Sequence, residues 1–499
     1  MSYALLEQHY ARIARLRHVE AIVSWDEATM MSPGGGPDRA EALSTLRGLL
    51  HEQATLPSLA DWYEAASREA ADLEPWQQAN LREMHREWER AAGLDRKLVE
   101  AMALAESQSE QAWRALRPAN DFASFLPLLR EVVARKREAA QALGQKLGLS
   151  PYDALVDGFE AGIRTQHIEA LFARLRAHLP GLIARIVDKQ KSERVEIDQG
   201  PFPEERQRWL GLELMRRLGF DFARGRLDTS HHPFCGGVPT DVRITTRYDR
   251  NDFVDSLMSV VHETGHAKYE QGLPAAWRGQ PVANARAMSI HEGQSLFLEM
   301  QVARSRPFME VLAPLLAEAF PDSPKAGFAV ENLFRRMTRV RPGLIRVHAD
   351  EVTYPCHIIL RFNLEKALID GTMRAEDLPE AWDAGMRELV GLSTGGNHRD
   401  GCMQDVHWPA GLFGYFPAYT LGALTAAQLF RAVTRAIPEV RAQIGRGELG
   451  PLDDWLRRNV WAHASFLSTE ELLVRATGAP LDIQAFEAHL DHRYLNEER

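Results

Sequence analysis

The sequence predicts a mainly α-helical protein with one small β element. Three observations carry that expectation. Apolar residues recur at three- and four-residue spacing over most of the chain, the mark of helices with one buried face. One short stretch, residues 242–248 (VRITTRY), instead alternates and is β-branched, which suits a strand. The breaks between periodic stretches are short, and no low-complexity tract or 20–50-residue repeat intervenes.

Leu5, Tyr10, Ile13, Leu16 and Val19 fall on one face of a first helix. Further helices are expected near 37–54, 76–93, 95–116, 122–147 and 166–190. Residues 32–37 (SPGGGP), 147–151 (LGLSP) and 200–203 (GPFP) separate them. SPGGGP lacks the Lys-Ser/Thr of a phosphate loop and reads as a turn. Between 225 and 250 the chain turns rich in Pro and Gly around the expected strand. Helical periodicity resumes after Asp252 and holds nearly to the C-terminus. It is interrupted at 395–411 (GGNHRDGCMQDVHWPAG), a stretch too long and polar for a simple connection; loops of that kind tend to carry function. With no linker between independent units, one domain over 1–499 is expected, with room for two lobes around a cleft.

The chain has 499 residues, 45% hydrophobic and 26% charged, which is ordinary globular composition rather than that of a disordered chain. Lys+Arg number 59 and Asp+Glu 69, a net charge of −10. That spread acidity argues against nucleic acid and against an anionic membrane as partners. No apolar run of ~20 residues could span a bilayer, and the start lacks a signal-peptide core. Cys235, Cys356 and Cys402 are far apart, which excludes a disulfide scaffold and a cysteine zinc ribbon. A soluble protein of a reducing cytoplasm is expected.

Chemistry enters at His262-Glu263-Thr264-Gly265-His266. Residues i and i+4 share one helix face, ~6 Å of rise apart, so both imidazoles reach one Zn²⁺. Glu263 then stands beside the metal as general base for a water. The competing reading is a helix with two core histidines. Against it, LMSVV (257–261) makes a buried stripe and Gly265 admits another element closely. A third protein ligand is needed, and no further His follows at the close spacing of some zinc peptidases. Glu292, on a helix expected over 284–301, is the first choice; Glu270 and Glu299 are its rivals. A tetrahedral oxyanion needs donors besides the metal, and His407, Tyr415 and Tyr419 lie in or just after the polar loop. A terminal carboxylate needs a guanidinium. Arg346, after a Pro-Gly turn, and Arg243, in the expected strand, are the candidates.

These residues fall into five ordered motifs. They are D-x-R-x-T (Asp241, Arg243, Thr245), H-E-x-x-H (His262 to His266), His-Glu-x-Gln (His291, Glu292, Gln294), I-R-x-x-A-D (Ile345, Arg346, Ala349, Asp350) and G-x-x-Q-D-x-H-W (Gly401, Gln404, Asp405, His407, Trp408). With Ser24-Trp25-Asp26 near the start, the whole chain resembles the carboxypeptidase Taq family of zinc metallocarboxypeptidases. The resemblance implies a helical body with a long cleft, similar to neurolysin and angiotensin-converting enzymes. It implies release of C-terminal amino acids with broad specificity, proline being disfavoured, by a homodimer. The H-E-x-x-H and downstream Glu spacing suits one zinc per chain, and a His₂Glu set is not strongly selective, so cobalt is a workable substitute. The resemblance makes Glu292 the third ligand and sets Arg346, Arg243 and Asp241 around the substrate. Cys235 and Gly293 stand where the family commonly has a hydroxyl residue and Ser. The alternatives are a zinc oligoendopeptidase on a related fold and a helical binding protein without metal. The intact His262, Glu263, His266 and Glu292 set opposes the second. A zinc aminopeptidase is disfavoured because no G-x-M-E-N block occurs.

Overall fold

Helices form where the apolar period and the caps agree. The computed structural model describes residues 2–197 and 200–497. The first helix, α1 (Ser2–Thr29), buries Tyr3, Leu6, Tyr10, Ile13 and Trp25. The expected helices appear as Gly36–Ala54, Pro75–Ala92, Arg96–Leu116, Phe122–Leu147 and Thr165–Gln190, each within a residue or two. Their ends are chemically marked. Glu74 and Gln77 form a capping box, and the Asp95 and Asp121 side chains accept from free N–H groups of the first turn. Gly148 ends its helix at φ 67°, and Ser150 caps the next start. Three helices, Ser58–Arg68, Pro151–Val156 and Glu204–Arg217, fall outside the expected ones.

The small sheet has three strands, β1 (Gly225–Thr229), β2 (Cys235–Val238) and β3 (Asp241–Thr246). The spatial order is β1-β3-β2, with β1 parallel and β2 antiparallel to β3. Ile244 pairs with Leu227 on one side and Cys235 on the other. Only β3 was expected; β1 and β2 are short and rich in Gly or charge, so neither shows a clear period of two. Leu227, Val242 and Ile244 pack on Val260 and Ala267 of the next helix, α2 (Val254–Gly272). The sheet is therefore the floor against which that helix rests.

Helix α3 (Met288–Leu296) starts four residues later than expected. Its cap is non-local: Glu160 accepts from the Ser289 N–H at 2.5 Å and from its hydroxyl at 2.6 Å. Past Leu296 the chain widens into a π-helix, Phe297–Ala303. Helices α4 (Tyr354–Asp370) and α5 (Pro417–Ala436) complete the surroundings of the site, α5 packing on both α3 and α4. The 395–411 segment is irregular, as expected. Its far end is tied down by buried Glu365 of α4, which accepts from Tyr152 Oη (2.5 Å), Trp408 Nε1 (3.1 Å) and the Gly414 N–H (3.2 Å).

A large hydrophobic core runs from Ala105 to Tyr494, and a smaller one joins α1 to residues 59–84. Trp25 of α1 is buried against two neighbouring guanidinia, with Arg243 Cζ 4.5 Å and Arg226 Cζ 5.4 Å from its ring centroid. Among the described residues no helix is long and apolar enough to cross a membrane.

Candidate metal centre and substrate cleft

His262 and His266 lie one turn apart on α2, ring centroids 4.9 Å apart. Helix α3 crosses over Gly265 so closely that a Cβ there would lie 2.5 Å from Ser295 Cα. That approach delivers Glu292. Its Oε1 is 3.9 Å from His262 Nε2 and its Oε2 3.5 Å from His266 Nε2. Gly422 of α5 leaves the room, since a Cβ there would sit 2.6 Å from Glu292 Cγ. The donor atoms of these three residues lie within 4.8 Å of one another. Bonds of ~2.0–2.1 Å in a tetrahedral site separate ligand atoms by about 3.4 Å, so the trio fits a zinc-sized ion with small adjustment.

The two rivals to Glu292 point elsewhere. Glu299 Oε2 lies 2.9 Å from His262 Nδ1, the nitrogen facing away from Glu292. Glu299 is buried, not the surface charge that its sequence position allowed. Burial works against its ionisation, but Arg304 (2.8 Å) and His262 hold its carboxyl below the usual value. Glu270 Oε1 lies 2.8 Å from His291 Nε2, and His291 Nδ1 lies 2.7 Å from His266 Nδ1. Glu263, also buried, is pushed up to about 7 by burial, with His262 opposing and Glu292 adding. A carboxyl poised near neutrality suits a group that takes and returns a proton. The Cys235 thiol is pushed well up, chiefly by burial and further by Glu263 and Glu270, so it stays protonated beside them.

A second cluster gathers the later motifs. Arg346, 5% exposed, donates from Nε to Asp405 Oδ1 (3.0 Å) and from Nη1 to Tyr354 Oη (2.6 Å), with Nη2 in ion-pair contact with the same Asp405 oxygen at 2.9 Å. Arg361 of α4, fully buried, donates from Nε (2.7 Å) to Asp405 Oδ2, and its Nη2 makes an ion-pair contact with the same oxygen at 2.5 Å. Burial opposes the Asp405 charge, yet the two guanidinia hold its carboxyl far below the usual range. Gln404 accepts from the Arg346 N–H at 2.8 Å, fixing the loop to that arginine. His407 stacks on Phe416 at 4.4 Å, with Nε2 3.1 Å from Tyr419 Oη. Burial and then Arg346 push His407 down to about 3, so it is neutral at ordinary pH. Tyr415 packs edge-on to Tyr419 at 5.3 Å; burial, with Glu292 adding, raises its hydroxyl pKa. Burial raises the Glu292 carboxyl pKa, and Arg346 is among the charges that oppose it, so the two clusters lie within electrostatic reach of each other.

Asp241 and Arg243 pair with each other, Nε at 3.0 Å and Nη2 at 2.7 Å, under Trp25. The sequence reading passed over Arg361 and Tyr354. A guanidinium inside the apolar run 356–364 was the available signal for Arg361. Tyr354 carried none.

The sequence profile of the carboxypeptidase Taq (M32) metallopeptidase family matches residues 5–494. The chain belongs to that family. Thermostable carboxypeptidase 1 of Thermus thermophilus is 39% identical to it, over 99% of this chain and 98% of its own length. Metallocarboxypeptidase 1 of Trypanosoma cruzi superposes with a TM-score of 0.97 at 44% identity, 99% of each chain being covered. A Pyrococcus furiosus carboxypeptidase superposes with a TM-score of 0.94 at 32% identity over 99% of each chain. As a carboxypeptidase Taq family member the chain is a metallocarboxypeptidase, a metal-dependent hydrolase of peptides, and the endopeptidase alternative is not favoured. A divalent metal is part of that identity, and the His262, His266 and Glu292 set is a group able to hold one.

Proposed function

We propose that the enzyme is a zinc carboxypeptidase in which His262, His266 and Glu292 hold the metal. The observation that carries this reading is the convergence of those three donors beside buried Glu263. A zinc ion there supplies a Lewis acid that polarises the scissile carbonyl and acidifies the attacking water. Glu263 takes the proton from that water and returns it to the departing amine. Tyr415, with His407 bonded to Tyr419 behind it, donates to the developing oxyanion. A neutral His407 and a protonated Tyr415 are the forms able to donate. A His₂Glu set is not strongly selective, so cobalt substitutes with activity.

Arg346 receives the terminal carboxylate. Two guanidinia face one carboxylate at Asp405, which leaves a buried positive charge unmatched. Arg346 uses two N–H groups, Nε on Asp405 and Nη1 on Tyr354, and three of its five remain for a ligand. Asp241 and Arg243 lie on the central strand β3, paired on both sides, so they offer a longer peptide their side chains under Trp25 and not the free strand edge that an exposed strand would give. The reading includes one peptidase domain over 1–499, two lobes, a homodimer, cytoplasmic residence, broad specificity and slow release of residues next to proline. The large core spanning Ala105 to Tyr494 supports the single domain, three free cysteines support the compartment, and the family resemblance supports the rest.

The test compares one peptide with a free and an amidated C-terminus. The free form should be shortened stepwise and ~10²-fold faster, since a charge-assisted contact is worth about 1.5–3 kcal/mol. Arg346→Ala should raise KM and abolish the preference. Arg243→Ala should weaken long and short peptides alike. Equal cleavage of both forms by the parent enzyme, with internal products, would overturn the reading.

A further inference from the structure

His262 and His266 offer the same nitrogen to the proposed metal and have different support behind it. The Nε2 of each faces Glu292, so Nδ1 of each is turned outward. Behind His262 stands a carboxylate, Glu299, at 2.9 Å. Behind His266 stands another imidazole, His291, with the two Nδ1 atoms 2.7 Å apart and the rings stacked at 4.6 Å and 29°. Nitrogens that close share one hydrogen, because two lone pairs or two N–H groups would repel. The far side of His291 decides which ring supplies it. Glu270 Oε1 lies 2.8 Å from His291 Nε2, and an ionised carboxylate only accepts, so Nε2 carries the hydrogen. A neutral His291 then has its lone pair at Nδ1. His266 Nδ1 is therefore the donor, and His266 Nε2 keeps the lone pair that a metal requires.

We infer that Glu270 and His291 are positioning residues that fix His266 in its Nδ1–H tautomer and aim its Nε2 at the point shared with Glu292. This rests on the metal-ligand reading above. Neither residue touches metal or substrate; both act through His266. The relay needs an acceptor at the His291 Nδ1 position and a donor at the other end. Asn supplies the acceptor in nearly the same place, whereas Leu supplies volume alone.

The experiment measures zinc affinity of the full-length protein by competition with a chromophoric chelator. His291→Leu should bind zinc about 10- to 100-fold more weakly, the usual effect of losing a residue behind a ligand. His291→Asn should stay within a few-fold of the parent. Metal-free His291→Leu should melt with the metal-free parent, which separates lost aim from lost fold. Parental affinity in His291→Leu, or equal weakening in both variants, overturns the relay. Should His291→Leu melt early, Glu270→Leu decides: weakened zinc binding there supports the relay and parental affinity overturns it. His266→Ala tests the underlying reading separately. If it keeps parental affinity, the ligand assignment itself fails. If it loses zinc while His291→Leu does not, only the relay fails.

Discussion

The two buried clusters, around His262 and around Asp405, carry charge in opposite senses. Around His262 and His266, four carboxylates crowd three imidazoles: Glu263, Glu270, Glu292 and Glu299. One guanidinium, Arg304, pairs with one of them. Around Asp405, two guanidinia share one carboxylate. A charge buried without its match is strongly unfavourable, so each imbalance indicates what is meant to arrive. The first cluster is short of a cation and the second of an anion. On the proposed reading, a metal and a terminal carboxylate are the matching pair.

The comparison breaks most readily at Glu263. Glu263→Gln should keep the metal and lower turnover by ~10²–10⁴ or more, because it removes the base and leaves the ligands. Loss of metal in that variant, read by elemental analysis, would move Glu263 into the ligand set. On the other side, Asp405→Asn leaves two guanidinia facing each other without an anion. It should destabilise the fold by about 3–5 kcal/mol in urea unfolding while zinc affinity changes little. A loss below ~1 kcal/mol would mean that the cluster is solvated after all.

A third buried acid, outside both clusters, sharpens the contrast. Glu351 accepts from Tyr494 Oη (3.0 Å) and Arg493 Nη1 (3.1 Å), with His489 Nε2 at 2.7 Å. Burial opposes its charge, but His489 and Arg493 hold its carboxyl at about 2 against an ordinary 4.5. The folded value lies below the unfolded one, so this stabilisation is complete above pH ~4.5 and disappears as pH falls toward 2. It amounts to ~3 kcal/mol. Glu351→Gln should lose that much at neutral pH and show a flatter stability profile between pH 4.5 and 2, as measured by denaturation. The smallest effect is expected from chelation. Stripping a metal present at ~100 times its Kd should lower stability by ~2.7 kcal/mol and leave the Asp405 cluster intact. An unchanged melting temperature would show that the acid-rich cluster tolerates its vacancy.

The parts legible in the sequence are those governed by local period. Most helices up to 190 followed from apolar spacing and the breakers between them, the short Ser58–Arg68 and Pro151–Val156 excepted, and His262 with His266 from the i, i+4 rule. What the sequence hid depends on crossings. The start of α3 is set by Glu160, far away in the chain. Glu299 reached His262 from a π-helical stretch, whose widened turn no spacing rule anticipates. Arg346 and Asp405 were both inside motifs, but their pairing, and the entry of Arg361 into it, required three separate segments to meet. β1 and β2 escaped because Gly and charged residues erase the alternation that betrayed β3.

Gly265 and Gly422 contribute no donor, no charge and no apolar surface, yet both belong to the metal-binding pattern. At each, the volume of one methyl group is already occupied, by the backbone of α3 at Gly265 and by the Glu292 side chain itself at Gly422. Emptiness is thus a coordinate of the site. A chain that kept His262, His266 and Glu292 but gained a single carbon at position 422 would pass any inspection of its ligands and still have its carboxylate displaced. Recognising such sites in distant sequences means scoring what is missing between the donors together with the donors themselves.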